Sequence, residues 1–312
     1  MASKRKSAAN APRKTSRLPQ VEIGILGGTG LYDMQGLEGH REVRIRTPFG
    51  DPSDAYVVGR LEGRRVAFLS RHGRGHRHLP TEVNFRANVF GFKLLGAERI
   101  VSVNSCGSLR EDIRPRDIVF ADQFFDRARR PSTFFGLGVT AHVGLAHPVC
   151  GDLAGTLFEA GRTLGLPVHP RGTYLNMEGP AFSTKAESRI YRSWGCDIIG
   201  MTSATEARLA REAEICYATM NLVTDYDVWH EEEGPVSVEM ILENLKANVH
   251  NARAVIRAAL PVIAPRERSR CDCGEALKSS IVTDRRLMPA ATRRMLMPLI
   301  GKYLKNGKDG PS

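Results

Sequence analysis

At 312 residues, with 42% hydrophobic and 25% charged side chains, the chain is long enough to bury a large core as one α/β domain. No apolar run approaches the roughly 18 residues of a membrane span, the N-terminus lacks the apolar stretch of a signal peptide, and six scattered cysteines do not make a disulfide framework, so a cytoplasmic location with reduced thiols is expected. The net charge of +11 belongs to the ends: residues 1–20 and 266–312 contribute +6 each, which leaves the middle at −1 and argues against a nucleic-acid-binding protein, as does an aromatic content of 7%.

Residues 1–20 read as a disordered basic tail, without a large apolar residue between Met1 and Leu18. Order is expected from Val21. Val21 to Leu26 is a short buried strand that runs into Gly27-Gly28-Thr29-Gly30, a turn able to lay backbone N–H groups around an anion with the Thr29 hydroxyl beside them. A dinucleotide fingerprint counted from Gly28 puts Asp33 where the third glycine belongs, so the turn suits phosphate better.

Val43 to Leu69 alternates as strands around a turn at residues 47–52. The strand from Arg65 to Ser70 ends in Arg71-His72-Gly73-Arg74-Gly75-His76-Arg77-His78, a cationic rim. Arginine offers a planar fork that grips phosphate in two places. Zinc on His76 and His78 is the rival, but no nearby carboxylate or cysteine completes the ligands.

Asn84 to Leu95 has helical spacing, and Ile100 to Val103 is a buried strand followed by the small polar run Asn104-Ser105-Cys106-Gly107-Ser108. Cys106, without a neighbouring base, reads as a buried inert thiol. Asp117 to Asp126 is a further strand and turn. A helix from about Lys185 to Trp194 is capped by Ser183 or Thr184, Asp197 to Thr202 is strand then polar turn, and Ala204 to Glu214 is a helix with its charges on the outer face. Ile215 to Val223 is a buried strand that stops at Asp225 and Asp227. Alternation would aim both carboxylates at one object with adjacent N–H groups, such as an aminopurine, and two close like charges raise at least one pKa. Val236 to Leu260 is a closing helix whose apolar face carries Val238, Ile241, Leu242, Leu245 and Val249.

The motifs Gly24-Ile-Leu-Gly-Gly-Thr-Gly-Leu31, Thr47-Pro-Phe-Gly50, Arg71-His72-Gly73, Cys106-Gly-Ser-Leu109, Glu178-Gly-Pro180, Met201-Thr202 and Thr224-Asp-Tyr-Asp-Val-Trp229 follow one another in the order of a known family. From about Val21 to Ile263 the chain resembles the trimeric purine nucleoside phosphorylases, and among them the 5′-methylthioadenosine phosphorylases. The resemblance implies a single α/β domain, residues 21–265, with a central mixed, mostly parallel twisted sheet flanked by helices. It implies phosphate attack at the nucleoside's anomeric carbon, without metal or organic cofactor, in a homo-oligomer of three or six chains. Carried over by position, Thr29, Arg71, His72, Asn104, Ser105 and Thr202 would hold phosphate. Met201 would meet the ribose, Phe182 the purine face, and Asp225 and Asp227, the catalytic pair, the ring nitrogen and exocyclic amino group; Asp225 is expected to be kept mostly neutral by burial and by Asp227. His142 would reach the site of a neighbouring subunit. Phosphorylases for 6-oxopurines carry asparagine where Asp225 stands and usually histidine where Val238 stands, so Asp225 favours an aminopurine and Val238, Ile241 and Leu242 make an apolar 5′ pocket fit for a methylthio group. Asn104 stands where the family often has threonine and Gly200 where asparagine is common. The nearer alternative is a phosphorylase acting mainly on adenosine or 6-oxopurine nucleosides.

Residues 266–312 form a basic extension that opens with Arg266-Glu-Arg-Ser-Arg-Cys-Asp-Cys-Gly274 and continues as a helical stretch, Leu277 to Leu304, interrupted by Pro289 and Pro298. Some prokaryotic relatives carry a similar Cys-x-Cys as a disulfide; free thiols are the cytosolic alternative. Leu287, Met288, Met295, Leu296 and Leu299 form a stripe expected to pack on this chain or a neighbour.

Overall fold

The computed structural model describes residues 18–28, 31, 34–230, 238–263 and 271–305, without the side chains of 238–242 and 305. The basic N-terminal segment, Thr29 and Gly30 therefore lie outside the described residues. So does the 5′ pocket expected of Val238, Ile241 and Leu242.

The centre is β5 (Arg99–Ser108), ten residues long and buried over most of its length. β1 (Ile23–Gly27) runs parallel to it on one edge as far as Ser102, and β11 (Cys216–Asp225) runs parallel along its whole other edge. Beyond β1 come β4 (Arg64–Ser70), β3 (Tyr56–Leu61) and β2 (Glu38–Val43). Beyond the far end of β5 come β10 (Ile198–Gly200), β9 (Thr173–Asn176) and β7 (Gln123–Asp126), while β6 (Ile118–Val119) and β8 (Val168–His169) continue from β11. Among the described residues the pairings β1–β4, β1–β5, β5–β11, β9–β10, β7–β9 and β6–β8 are parallel and β2–β3, β3–β4, β5–β10 and β6–β11 antiparallel, a mixed, mostly parallel sheet.

The helices form where local signals agree. Asn84 caps α1 (Phe85–Leu94) by accepting from the Ala87 N–H, and Thr184 and Glu187 close a reciprocal capping box on α3 (Lys185–Ser193). α2 (Gly151–Thr163), α4 (Ser203–Glu212), α5 (Val238–Ala259) and α6 (Ala290–Lys305) complete the set. The outward-facing charges expected of α4 are seen only in part: Arg208 is partly exposed, but Glu206 and Glu212 are buried. Nor does Pro298 break the last helix, which begins after Pro289 and carries Pro298 within it. Leu277, Met288, Leu296, Leu299 and Ile300 bury in the same core as β1, β5 and β11, so the extension packs on its own chain; Leu287 leaves the expected stripe and is exposed.

Candidate active site

β1 pairs with β5 up to Ser102 and β10 takes up the same edge from Gly107, so among the described residues no strand lies beside 103–106 there. The C-terminal ends of β1, β4, β5 and β11 lie at one edge of this parallel group, and β10 delivers Met201 and Thr202 back toward the gap. Such a break, with strand ends and a helix start around it, is where open α/β sheets bind ligands.

A buried polar network lines the gap. Asn104 donates from its amide nitrogen to Ser102 Oγ (3.0 Å) and Thr219 Oγ1 (2.8 Å), and its amide oxygen accepts the Thr202 hydroxyl at 2.8 Å. Thr202 is the N-cap of α4, its hydroxyl donates to Asn104, and its oxygen makes no capping bond to the first turn. Among the described residues no side chain accepts from the first-turn N–H groups of α4, the arrangement that attracts an anion. Ser105 is exposed and Met201 half-buried beside them.

Arg71 departs from the expected two-pronged grip on phosphate. Its guanidinium is buried, donates from Nε and Nη2 (3.1 Å) to the Glu206 carboxylate, and also reaches Ser102 Oγ (2.7 Å) and the Val103 carbonyl (3.0 Å). Glu206 further accepts from the Ser102 hydroxyl (2.7 Å) and Tyr217 (2.9 Å). The fork is spent on a buried carboxylate 135 residues away, and the pair ties the end of β4 to the first turns of α4. The cationic rim is correspondingly weakened.

His72 adds no charge to the rim near neutral pH. Burial and the adjacent Arg71 charge lower its pKa to about 4. Its Nδ1 lies 2.9 Å from the His78 carbonyl, which can only accept, so Nδ1 carries the proton and Nε2 offers a lone pair. A cavity of about 460 Å³ beside this loop is bordered by Arg44, Arg46, Asp54, Arg77 and His78 and by none of the strand-end residues. His76 stacks on His72; among the described residues no third ligand joins the histidines, and the one cluster with metal-ligand geometry lies elsewhere.

At the end of β11 the two aspartates do not alternate along one strand. The strand shifts register between Val223 and Asp225, and Asp227 lies beyond it with φ +55. The Asp227 N–H donates to Asp225 Oδ1 at 2.8 Å, and Asp225 Oδ2 accepts the Thr224 hydroxyl at 2.7 Å. Both oxygens of Asp225 therefore act as acceptors within the turn. Burial raises the pKa of Asp227, offset in part by the nearby Ser188 and Ser183 hydroxyls, and among the described residues nothing hydrogen-bonds its Oδ2. Gly107 lets Asp225 approach β5, since a Cβ there would come within 2.9 Å of Oδ1. Trp229 donates to the Ser108 carbonyl at 2.7 Å with the Arg192 guanidinium over its ring, which pins the loop after β11.

Tyr174, which sequence reading passed over, fills the space beside Gly200: a Cβ at Gly200 would lie 2.0 Å from its hydroxyl, and the Thr202 N–H donates to that hydroxyl. Phe182 is half exposed at the rim. His142 is exposed and its backbone N–H pairs with Ser280 of the extension, apart from this group. Cys106 is buried, with its thiol pushed well up by burial and by Asp225, and cannot serve as a nucleophile.

A model of the phosphorylase superfamily matches residues 22–261. The chain is 55% identical to the S-methyl-5′-thioadenosine phosphorylase of Koribacter versatilis over 93% of its own length and 99% of the relative's. It is equally similar to the enzyme of that name from Gloeobacter violaceus, over 91% and 97%. Among solved structures it is similar to a methylthioadenosine phosphorylase from an antarctic soil metagenomic library (46% identity, TM-score 0.84, 90% of this chain and 99% of that one). The Schistosoma mansoni methylthioadenosine phosphorylase in complex with adenine gives 36% identity, TM-score 0.79, and 84% and 99%.

Proposed function

The chain belongs to the phosphorylase superfamily, and from that premise we propose that it catalyses phosphorolysis of 5′-methylthioadenosine to adenine and 5-methylthioribose 1-phosphate. The observation that carries the reading is the pairing of two unlike groups around the end of β5: an anion-ready helix start at Thr202 and a buried acidic pair at Asp225 and Asp227. Phosphate at the start of α4 would face the anomeric carbon. The glycosidic bond breaks as a C–O bond to phosphate forms, and the purine leaves with the bonding electrons and takes a proton.

Little covalent chemistry is asked of the side chains, because the transition state is a ribosyl cation flanked by an anion and a departing base; positioning and charge supply most of the rate. Asp227, whose pKa burial raises, is the group placed to lend a proton or donate to the ring, while Asp225 offers an acceptor to the exocyclic amino group. The reacting centre takes phosphate as co-substrate and no metal or organic cofactor. The working unit is a homo-oligomer of three or six chains in the cytoplasm, with His142 serving a neighbouring subunit's site.

A second reading, adenosine as a main substrate, is favoured by the Schistosoma mansoni relative described as an adenosine/methylthioadenosine phosphorylase and by Asn104 where threonine is frequent. One assay decides: release of base from methylthioadenosine, adenosine and inosine at equal concentration, with and without phosphate and after brief chelation. Phosphate-dependent release fastest from methylthioadenosine is expected. Fastest release from inosine, or release indifferent to phosphate, would overturn the proposal.

A further inference from the structure

Four of the six cysteines converge at one point outside the candidate active site. Cys150 stands at the N-cap of α2, Cys216 opens β11, and Cys271 and Cys273 come from the extension. Their four sulfur atoms all lie within 4.8 Å of one another, with Cys216 Sγ and Cys271 Sγ 3.5 Å apart. Cys150, Cys216 and Cys273 are buried, Cys271 partly so, and none is in a disulfide. We propose that these cysteines form a closed tetrathiolate zinc site that fastens the C-terminal extension to the core.

The spacing suits the ion. Zinc–sulfur bonds of about 2.3 Å in a tetrahedron put the sulfurs about 3.8 Å apart, inside the observed range. A disulfide reading pairs sulfurs two at a time and gives no reason for four of them, from three separate elements, to share one point. Four thiolates around one ion leave no open coordination position, which marks a structural site. Position agrees: Cys216 begins the strand that Asp225 ends, about 30 Å away at the rise of an extended chain, so this ion would not touch reacting atoms.

Four thiolates and Zn²⁺ leave two negative charges, and the surroundings answer them. The Arg211 guanidinium donates to Cys273 Sγ at 3.8 Å and is held by the His147 carbonyl. Cys150 takes the helix N-cap, where the dipole favours negative charge and Ser, Thr, Asp or Asn is usual. Binding releases the thiol protons to solvent. The extension already docks through Glu214, which accepts from the Leu277 N–H (3.0 Å) and pairs with Lys302 (2.6 Å), so the metal would close a loop that these contacts begin.

The test uses the full chain, produced in medium supplied with zinc and purified without a chelating tag. Elemental analysis should find one zinc per chain, and titration with an organomercurial should release it in step with four thiols. Cys271→Ser/Cys273→Ser should bind no zinc, melt lower and expose residues 271–305 to protease, while turnover at room temperature persists. Should that variant fail to fold, cobalt exchanged into the parent chain should give the thiolate-to-cobalt charge-transfer bands of four sulfurs. Metal-free protein whose four thiols are lost to disulfides under denaturation without reductant would overturn the proposal, as would iron in place of zinc.

Discussion

The Thr202 hydroxyl donates to the Asn104 amide oxygen at 2.8 Å, while the Asn104 amide nitrogen donates to Ser102 and Thr219. These two donations fix which way the amide faces, and so direct the one hydroxyl proton of Thr202 away from an anion at the start of α4. The hydroxyl then meets phosphate as an acceptor, which suits a protonated phosphate oxygen and not a bare one.

Asn104→Thr removes the acceptor and frees that proton. A hydrogen bond to a charged group is worth about 1.5–3 kcal/mol, so the Michaelis constant for phosphate should fall by about 10- to 150-fold while that for the nucleoside moves little. Steady-state kinetics with each substrate varied in turn checks this. An unchanged phosphate constant would place the phosphate contacts away from Thr202.

Arg71→Ala leaves the Glu206 carboxylate buried without its cation, which should cost about 3–5 kcal/mol of stability. Arg71→Lys should recover little, since one ammonium cannot reproduce the fork that spans Glu206, Ser102 and the Val103 carbonyl. Urea unfolding measures the loss. A raised phosphate Michaelis constant at unchanged stability would instead restore Arg71 as a direct phosphate ligand.

These two relationships also mark how far the sequence could be read. The buried strands, their polar ends, the Thr184 cap and the acidic end of β11 are local patterns, legible because periodicity and capping act over a few residues. Glu206 sits among Arg208, Arg211 and Glu212 in a pattern that looks like a solvated face, and only the arrival of Arg71 from a distant strand buries it. β2 is polar and mostly exposed, so pairing with β3 and not side-chain burial makes it a strand. Asp227 shared a motif with Asp225, but its left-handed backbone, which gives the two carboxyls different surroundings, follows from the turn beyond the strand. The cysteine cluster has no local signal beyond Cys-x-Cys, because its other members stand at 150 and 216.

Glu212 gives stability a pH dependence. Burial raises its pKa from about 4.5 to about 7, although the Phe134 N–H and the Thr133 hydroxyl both donate to it. An acid raised in the folded state contributes stability that is full below about pH 4.5 and is lost as pH rises through about 7, here about 3 kcal/mol. Glu212→Gln should be close to the parent in stability at pH 5 and more stable at pH 8. Equal differences at both pH values would show that Glu212 does not titrate in this range.

Asp225 and Asp227 should fail differently when each is made an amide. Asp227 carries the raised pKa and the buried oxygen that no described group engages, so Asp227→Asn removes the proton that can follow the purine as the glycosidic bond breaks. General acid catalysis is typically worth about 10²–10⁴-fold, so turnover of methylthioadenosine should drop by that order. The sign of the pH effect follows from the same group: the parent's rate falls as pH rises past the raised pKa, and the Asn variant lacks that limb. Asp225→Asn is gentler on the fold. Its amide oxygen can keep the Asp227 N–H, and the Thr224 hydroxyl can accept from the amide nitrogen by turning its own proton to the Cys106 carbonyl, already 3.2 Å away. That nitrogen can then donate to a 6-oxo group, which shifts preference toward inosine while the exocyclic amino group of adenine loses an oxygen acceptor. Turnover of both nucleosides against pH, beside a melting curve for each variant, separates the two roles. Should Asp225→Asn keep the parent's ranking of substrates, Asp225 holds the turn and does not read the base; should Asp227→Asn keep the parent's pH limb, the proton comes from another group.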